Sequence, residues 1–128
     1  MNVKAEYIAE DKQLTEQEIK KFHGRFNSED YDSIWNQAAP GLQQAVSKKD
    51  FLTFLNNGHQ QCGKFKGIID KRVNVVGGSP VQIRVIYNSQ FDKAVLTEMF
   101  TWLKTGEEIQ LAGYIVAKGP AELPRIGQ

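Results

Sequence analysis

From Ala94 onward the chain alternates, and the alternation turns back on itself. Residues Ala94 to Lys104 and Glu107 to Ala117 are two strand-like runs separated by Thr105-Gly106, a pair suited to a tight hairpin. If that pair closes a two-residue turn, Trp102 faces Ile109, Phe100 faces Leu111, Glu98 faces Gly113 and Leu96 faces Ile115. One face of the ribbon is then apolar except for a single carboxylate, Glu98. An acid among large apolar groups needs a partner, or a pocket to look into.

Upstream, period two gives way to period 3.6. Thr15 and Glu18 have capping-box spacing, so a helix is expected to start there, with Ile19, Phe22, His23 and Phe26 on one face. Residues 1–13 read as a polar lead with Val3, Tyr7 and Ile8 as anchors. Ser28-Glu29-Asp30 starts a second helix, striped by Tyr31, Ile34, Trp35 and Ala38, and Pro40-Gly41 is expected to break it before a short turn over 42–46. Ser47 caps a third helix carrying Phe51, Phe54, Leu55 and Cys62, with Gly63 at its end. Phe65 to Val76 is a long strand with distortions expected at Gly67 and Asp70. Gly77-Gly78-Ser79-Pro80 is a loop, and Val81, Ile83, Val85 and Tyr87 line one face of the next strand. Helices followed by strands describe an α+β fold: a curved antiparallel sheet of about four strands packed on three N-terminal helices. One domain is expected over 1–128, with its ordered core over 15–117 and a tail containing two prolines.

Sixteen basic residues against fifteen acidic ones leave a net charge of +1, which speaks against a nucleic-acid or anionic-membrane grip. The densest basic stretch, Lys64, Lys66, Lys71 and Arg72, reads as a guarded sheet edge. With one cysteine, Cys62, no intrachain disulfide forms. No run approaches the roughly 20 apolar residues of a membrane span. Met1 as a native start implies a cytoplasmic protein, whereas removal of a leader implies an exported one. His59 and Cys62 share a helical face, but a helix C-terminus has the wrong dipole sign to activate a thiol. Zinc lacks two further ligands at sensible spacing, so no metal and no cofactor is expected.

Five segments keep a shared order: Phe26-Asn-Ser-Glu-Asp-Tyr-Asp-Ser-Ile-Trp35, Lys48-Lys-Asp-Phe-Leu-Thr-Phe-Leu55, Tyr87-Asn-Ser-Gln-Phe91, Glu98-Met-Phe-Thr-Trp102 and Leu111-Ala-Gly-Tyr114. Together they resemble the nuclear-transport-factor-two-like, or cystatin-like, superfamily. More narrowly they resemble small bacterial proteins of unknown function within it, often exported. The resemblance implies a cone-shaped α+β fold and often a dimer through the open sheet face. It embraces isomerases and dehydratases that use an Asp or an Asp/His pair, as well as non-enzymatic binding domains.

The expected pocket is lined by Trp35, Tyr87, Glu98, Phe100 and Trp102, with Glu98 as the candidate base. Its structural alternative is a bond from Glu98 to Arg84, Tyr87, Tyr114 or a helix-start amide. On the other face of the hairpin, Val95, Thr97, Met99, Thr101 and Tyr114 form the expected dimer surface. The expected function is a non-catalytic domain that binds a small apolar ligand or a protein partner as a homodimer. A lyase or isomerase using Glu98 is the alternative.

Overall fold

The computed structural model describes residues 3–123, with side chains over residues 9–123. The expected anchors Val3, Tyr7 and Ile8 and the last five residues of the tail lie outside the described side chains. The elements run α1 (Val3–Asn27), α2 (Tyr31–Asn36), α3 (Pro40–Ala45), α4 (Lys48–Cys62), β1 (Phe65–Val76), β2 (Val81–Phe91), β3 (Val95–Thr105) and β4 (Glu108–Lys118). The strands form a curved, unclosed antiparallel sheet in the order β1-β2-β3-β4. Four helices, not three, accompany it.

The extra helical length has local causes. The expected start at Thr15 is no cap, because α1 already begins at Val3. Thr15 is fully buried in mid-helix, and its hydroxyl donates back to the Asp11 carbonyl at 2.7 Å. Four residues earlier on that buried side, Asp11 meets Lys104 of β3 at 2.5 Å. The polar lead is therefore the first half of a helix tied to the sheet. Pro40, expected as a breaker, opens α3 instead, at the first-turn position where its missing N–H costs nothing. The two later helix starts expected from the sequence are capped. Asp30 accepts from Ser33 N at 3.3 Å, and Ser47 Oγ accepts from Asp50 N at 3.1 Å.

Strand β1 shifts register between Phe65 and Gly67 and between Ile68 and Asp70, at the expected distortion points. The β3–β4 turn lies one residue later than expected. Thr105 pairs with Glu108, and Gly106 turns with φ +65°. Trp102 pairs with Leu111, so the expected faces hold at the tip. Then Thr101 pairs with Gly113, leaving Ala112 as a bulge. Beyond it every β4 side chain changes face. Phe100 pairs with Tyr114 rather than Leu111, and Glu98 with Val116 rather than Gly113. Tyr114 points inward, and Ile115, expected inside opposite Leu96, is 61% exposed on the outer face.

The space between helices and sheet is packed. Phe22 meets Phe100 edge-on at 5.2 Å, Phe100 stacks on Trp102 at 6.0 Å, and Trp35 tilts against Phe51 at 5.6 Å. Below the sheet, the segment after β4 folds across the outer face. Ala121 N donates to Asn88 Oδ1 at 2.9 Å, and Asn88 Nδ2 donates to Ala121 O at 2.7 Å.

Candidate functional site

Glu98 sits mid-strand in β3 and has no exposed surface. Three side chains from three other elements converge on it. His23 of α1 places Nε2 at 2.9 Å from Oε1 and 3.2 Å from Oε2. Ser89 of β2 donates to Oε1 at 2.7 Å, and Tyr114 of β4 donates to Oε2 at 2.5 Å. Both carboxylate oxygens are thus occupied by donors, which is how a buried acid is tolerated. Of the partners weighed from sequence, Tyr114 is the one found. His23 and Ser89 were not foreseen.

The imidazole is fixed as firmly as the acid. His23 stacks on Phe65, with ring centroids 3.5 Å apart and planes 4° from parallel. Because Nε2 faces the carboxylate, it carries a proton there, and Nδ1 is the ring's remaining polar atom. The Tyr114 phenol is held well above its ordinary pKa by burial first, then by the charge of Glu98 and the bond to it. Tyr87 is pushed up to about 12 by burial first, then by the nearby charges of Glu16 and Glu98.

The expected pocket residues divide. Glu98, Phe100 and Trp102 belong to the filled interior, exposed by 0%, 1% and 4%. Trp35 is half-buried against that core. Tyr87 alone of the five reaches a sizeable cleft, an open one of about 650 Å³ between α1 and β1 that His23, Phe65 and Lys71 also line. A second concavity, about 290 Å³ between α4 and β4, is lined by Phe54, Leu55, Phe91, Leu96, Tyr114 and Val116. Phe54 leaves 45% of its surface exposed there, and its ring meets Tyr114 edge-on at 6.1 Å. His23 therefore borders one concavity and Tyr114 the other, with Glu98 between them.

The expected dimer face also divides. Val95, Met99 and Thr101 stand half-buried on the outer face. Thr97, on the same face, is 4% exposed, because Ala121 N reaches its hydroxyl at 3.1 Å. Tyr114 is on the inner face for the reason given by the bulge at Ala112. His59 and Cys62 make no hydrogen bond to each other among the described residues. His59 lies against Phe26, and Cys62 borders the α4–β4 groove. The basic stretch is dispersed: Lys66 pairs with Asp92 at 3.2 Å and Lys71 with Glu16 at 2.7 Å.

Among the described residues, no group of three or more His, Cys, Asp or Glu side chains is placed to hold a metal ion. No helix there is long and apolar enough to cross a membrane. No family model matches the chain, and no curated protein matches it. Among solved structures it is similar to Bd1075 of Bdellovibrio bacteriovorus, with a TM-score of 0.53 and 11% identity over 86% of this chain. The chain spans 41% of that protein's length. At this identity the likeness shows the α+β fold alone.

Proposed function

We propose that this chain is a non-catalytic binding domain of the nuclear-transport-factor-two-like kind. It takes a small apolar ligand in the α4–β4 groove and pairs with a second copy through the outer face of the sheet. The observation that carries the reading is the groove: about 290 Å³ of mainly apolar lining, with Phe54 45% exposed at its side. That volume is of small-molecule size and too short for a peptide helix. The acid–base alternative has less behind it, because Glu98 is enclosed and both its oxygens are engaged.

A naphthylamine probe, N-phenyl-1-naphthylamine, tests the groove. Its fluorescence rises saturably with the wild-type protein, and Phe54→Ser weakens binding about tenfold through loss of an aromatic contact. No saturable rise, or an unchanged affinity in the variant, removes the reading.

Pairing is supported by the cross-strand row Ile86, Met99 and Ile115, which the register sets side by side on the outer face. A row in the middle of a face can meet its own copy about a twofold axis. Met99→Glu with Ile115→Lys then converts a dimer to a monomer in light scattering. A wild-type monomer at about 100 μM ends the pairing proposal, since useful affinities lie below that range.

A further inference from the structure

Two side chains at the floor of the α1–β1 cleft are almost wholly buried, yet each keeps one polar atom unused by the protein. His23 is 5% exposed and Tyr87 2% exposed, and both line the cleft. His23 spends Nε2 on Glu98, while its Nδ1 makes no hydrogen bond among the described residues. The Tyr87 hydroxyl makes none either. Neither atom is among the fully enclosed polar atoms without a partner, which are Asp11 Oδ2, Tyr31 Oη, His59 Nδ1 and Trp102 Nε1. Both therefore touch the cleft. Glu98 and Asn88, by contrast, have their side-chain polar atoms engaged within the protein. Two unspent groups at the bottom of one cleft mark a surface made for a polar guest.

The chemistry of that guest follows from the lining. Glu98 fixes the imidazole through Nε2 and leaves Nδ1 to the cleft, where a hydroxyl group can pair with it as donor or acceptor. The Tyr87 phenol stays protonated far into alkaline solution and supplies a donor beside it. Of the charged groups in the lining, Glu16 and Lys71 neutralise each other at 2.7 Å. Lys20, exposed at the cleft, has no ion-pair partner among the described residues and is the lining cation left to meet a guest. The side wall is the ring of Phe65 and the backbone of Gly67.

We infer that the α1–β1 cleft is a binding site for a small hydroxylated monoanion, such as a hydroxy acid. His23 Nδ1 and Tyr87 Oη engage its hydroxyl groups, and Lys20 engages its charge. Glu98 is a positioning residue: it sets the angle of His23 without touching the ligand. This site is separate from the apolar groove, and neither depends on the other being occupied.

Calorimetric titration with a small panel tests it. Gluconate, glycerate and lactate supply both features, sorbitol supplies hydroxyl groups without charge, and hexanoate supplies charge without hydroxyl groups. At least one of the first three binds saturably, and sorbitol and hexanoate bind about tenfold or more weakly, as expected when one charge-assisted contact is lost. Lys20→Ala, at an exposed position, and Tyr87→Phe, which keeps the ring, each weaken the bound compound about tenfold. In proton-detected nitrogen NMR the ligand shifts His23 Nδ1 and leaves Nε2 nearly unmoved. The inference is overturned if none of the three binds, if hexanoate or sorbitol binds as well as they do, or if both variants bind like wild type. Phe54→Ser leaves this binding unchanged, so failure here and failure of the groove are separately readable.

Discussion

His23 Nε2 lies within reach of both oxygens of Glu98, 2.9 and 3.2 Å away, across 75 positions of chain. The pair ties the middle of α1 to the middle of β3 through a point from which water is excluded. Removing one member of a buried pair leaves the other uncompensated, which costs more than the pair itself contributes. Glu98→Gln keeps the shape but turns one acceptor into a donor facing donors. We expect it to lower unfolding free energy by about 3 kcal/mol in urea titration. Tyr114→Phe removes a single charged hydrogen bond and costs about 1.5 kcal/mol. In the Glu98→Gln background the Tyr114→Phe change costs clearly less, because the carboxylate it served is gone. Additive losses would show that Glu98 and Tyr114 are not energetically coupled.

Each half of this pair was legible in the sequence as an anomaly, but the pairing was not. Glu98 stood out as the lone acid on an apolar strand face, and His23 lay in the stripe of Ile19, Phe22 and Phe26. Two polar groups on faces that must both be buried are natural partners. That inference was available and would have found the pair. The caps at Asp30 and Ser47 were readable because capping is decided within a few residues. The bulge at Ala112 was not, since nothing local distinguishes it from continued alternation, and it alone decides that Tyr114 reaches Glu98. Helix α1 was cut short because Thr15 and Glu18 have the spacing of a cap, and the same spacing recurs inside helices. What settles the matter is Asp11 meeting Lys104, a contact spanning 93 positions.

That contact yields its own prediction. Asp11 is fully buried and Lys104 is 7% exposed. Asp11→Ala removes one charge-assisted hydrogen bond of the buried Lys104 ammonium group, and we expect a loss of about 2 kcal/mol in unfolding free energy. The surface pair Glu18 with Lys21, at 2.9 Å, is a control within the same helix. Lys21→Ala changes stability by no more than about 0.5 kcal/mol. If Asp11→Ala is as mild as Lys21→Ala, the first half of α1 is not held to the sheet by this contact.

Tyr87 and Tyr114 contribute to the alkaline limit, alongside Tyr31, whose phenol is also raised by burial first and then by Glu29. Tyr87 is raised to about 12 and Tyr114 well above 10. Below the ordinary phenol value of 10 both are neutral whether the chain is folded or not, so their contribution is complete there. Above it the unfolded chain releases protons that the folded chain retains, so stability falls as pH rises toward about 12. Urea midpoints measured between pH 9 and 12 are expected to decline, and Tyr87→Phe flattens the decline. Absorbance at 295 nm should show Tyr87 and Tyr114 ionising only as the protein unfolds. Early ionisation of both phenols in folded protein would contradict their placement.

At the acid end the relevant group is Asp92, in the turn between β2 and β3. Its Oδ2 accepts from Lys64 N at 2.7 Å, and Lys66 lies 3.2 Å from its other oxygen. The backbone bond first, and then Lys66, hold this carboxyl below its ordinary value of 3.8. A group with a lowered folded pKa stabilises the fold above its unfolded value, and the effect is lost as pH falls through the folded one. Asp92→Asn should therefore be less stable than wild type at neutral pH, and the gap should close as pH drops below 3.8. The same carboxylate packs over Gly63, which ends α4 at φ +80° and whose added Cβ would stand 2.5 Å from Asp92 Cβ. Gly63→Ala meets both an unfavourable backbone conformation and that clash, so we expect a loss of about 2 kcal/mol. Trimming the obstacle relieves only the clash: Gly63→Ala costs less in an Asp92→Gly background, yet the left-handed residue still carries its backbone cost of about 1 kcal/mol. Equal costs in the two backgrounds would show that Asp92 does not press on Gly63.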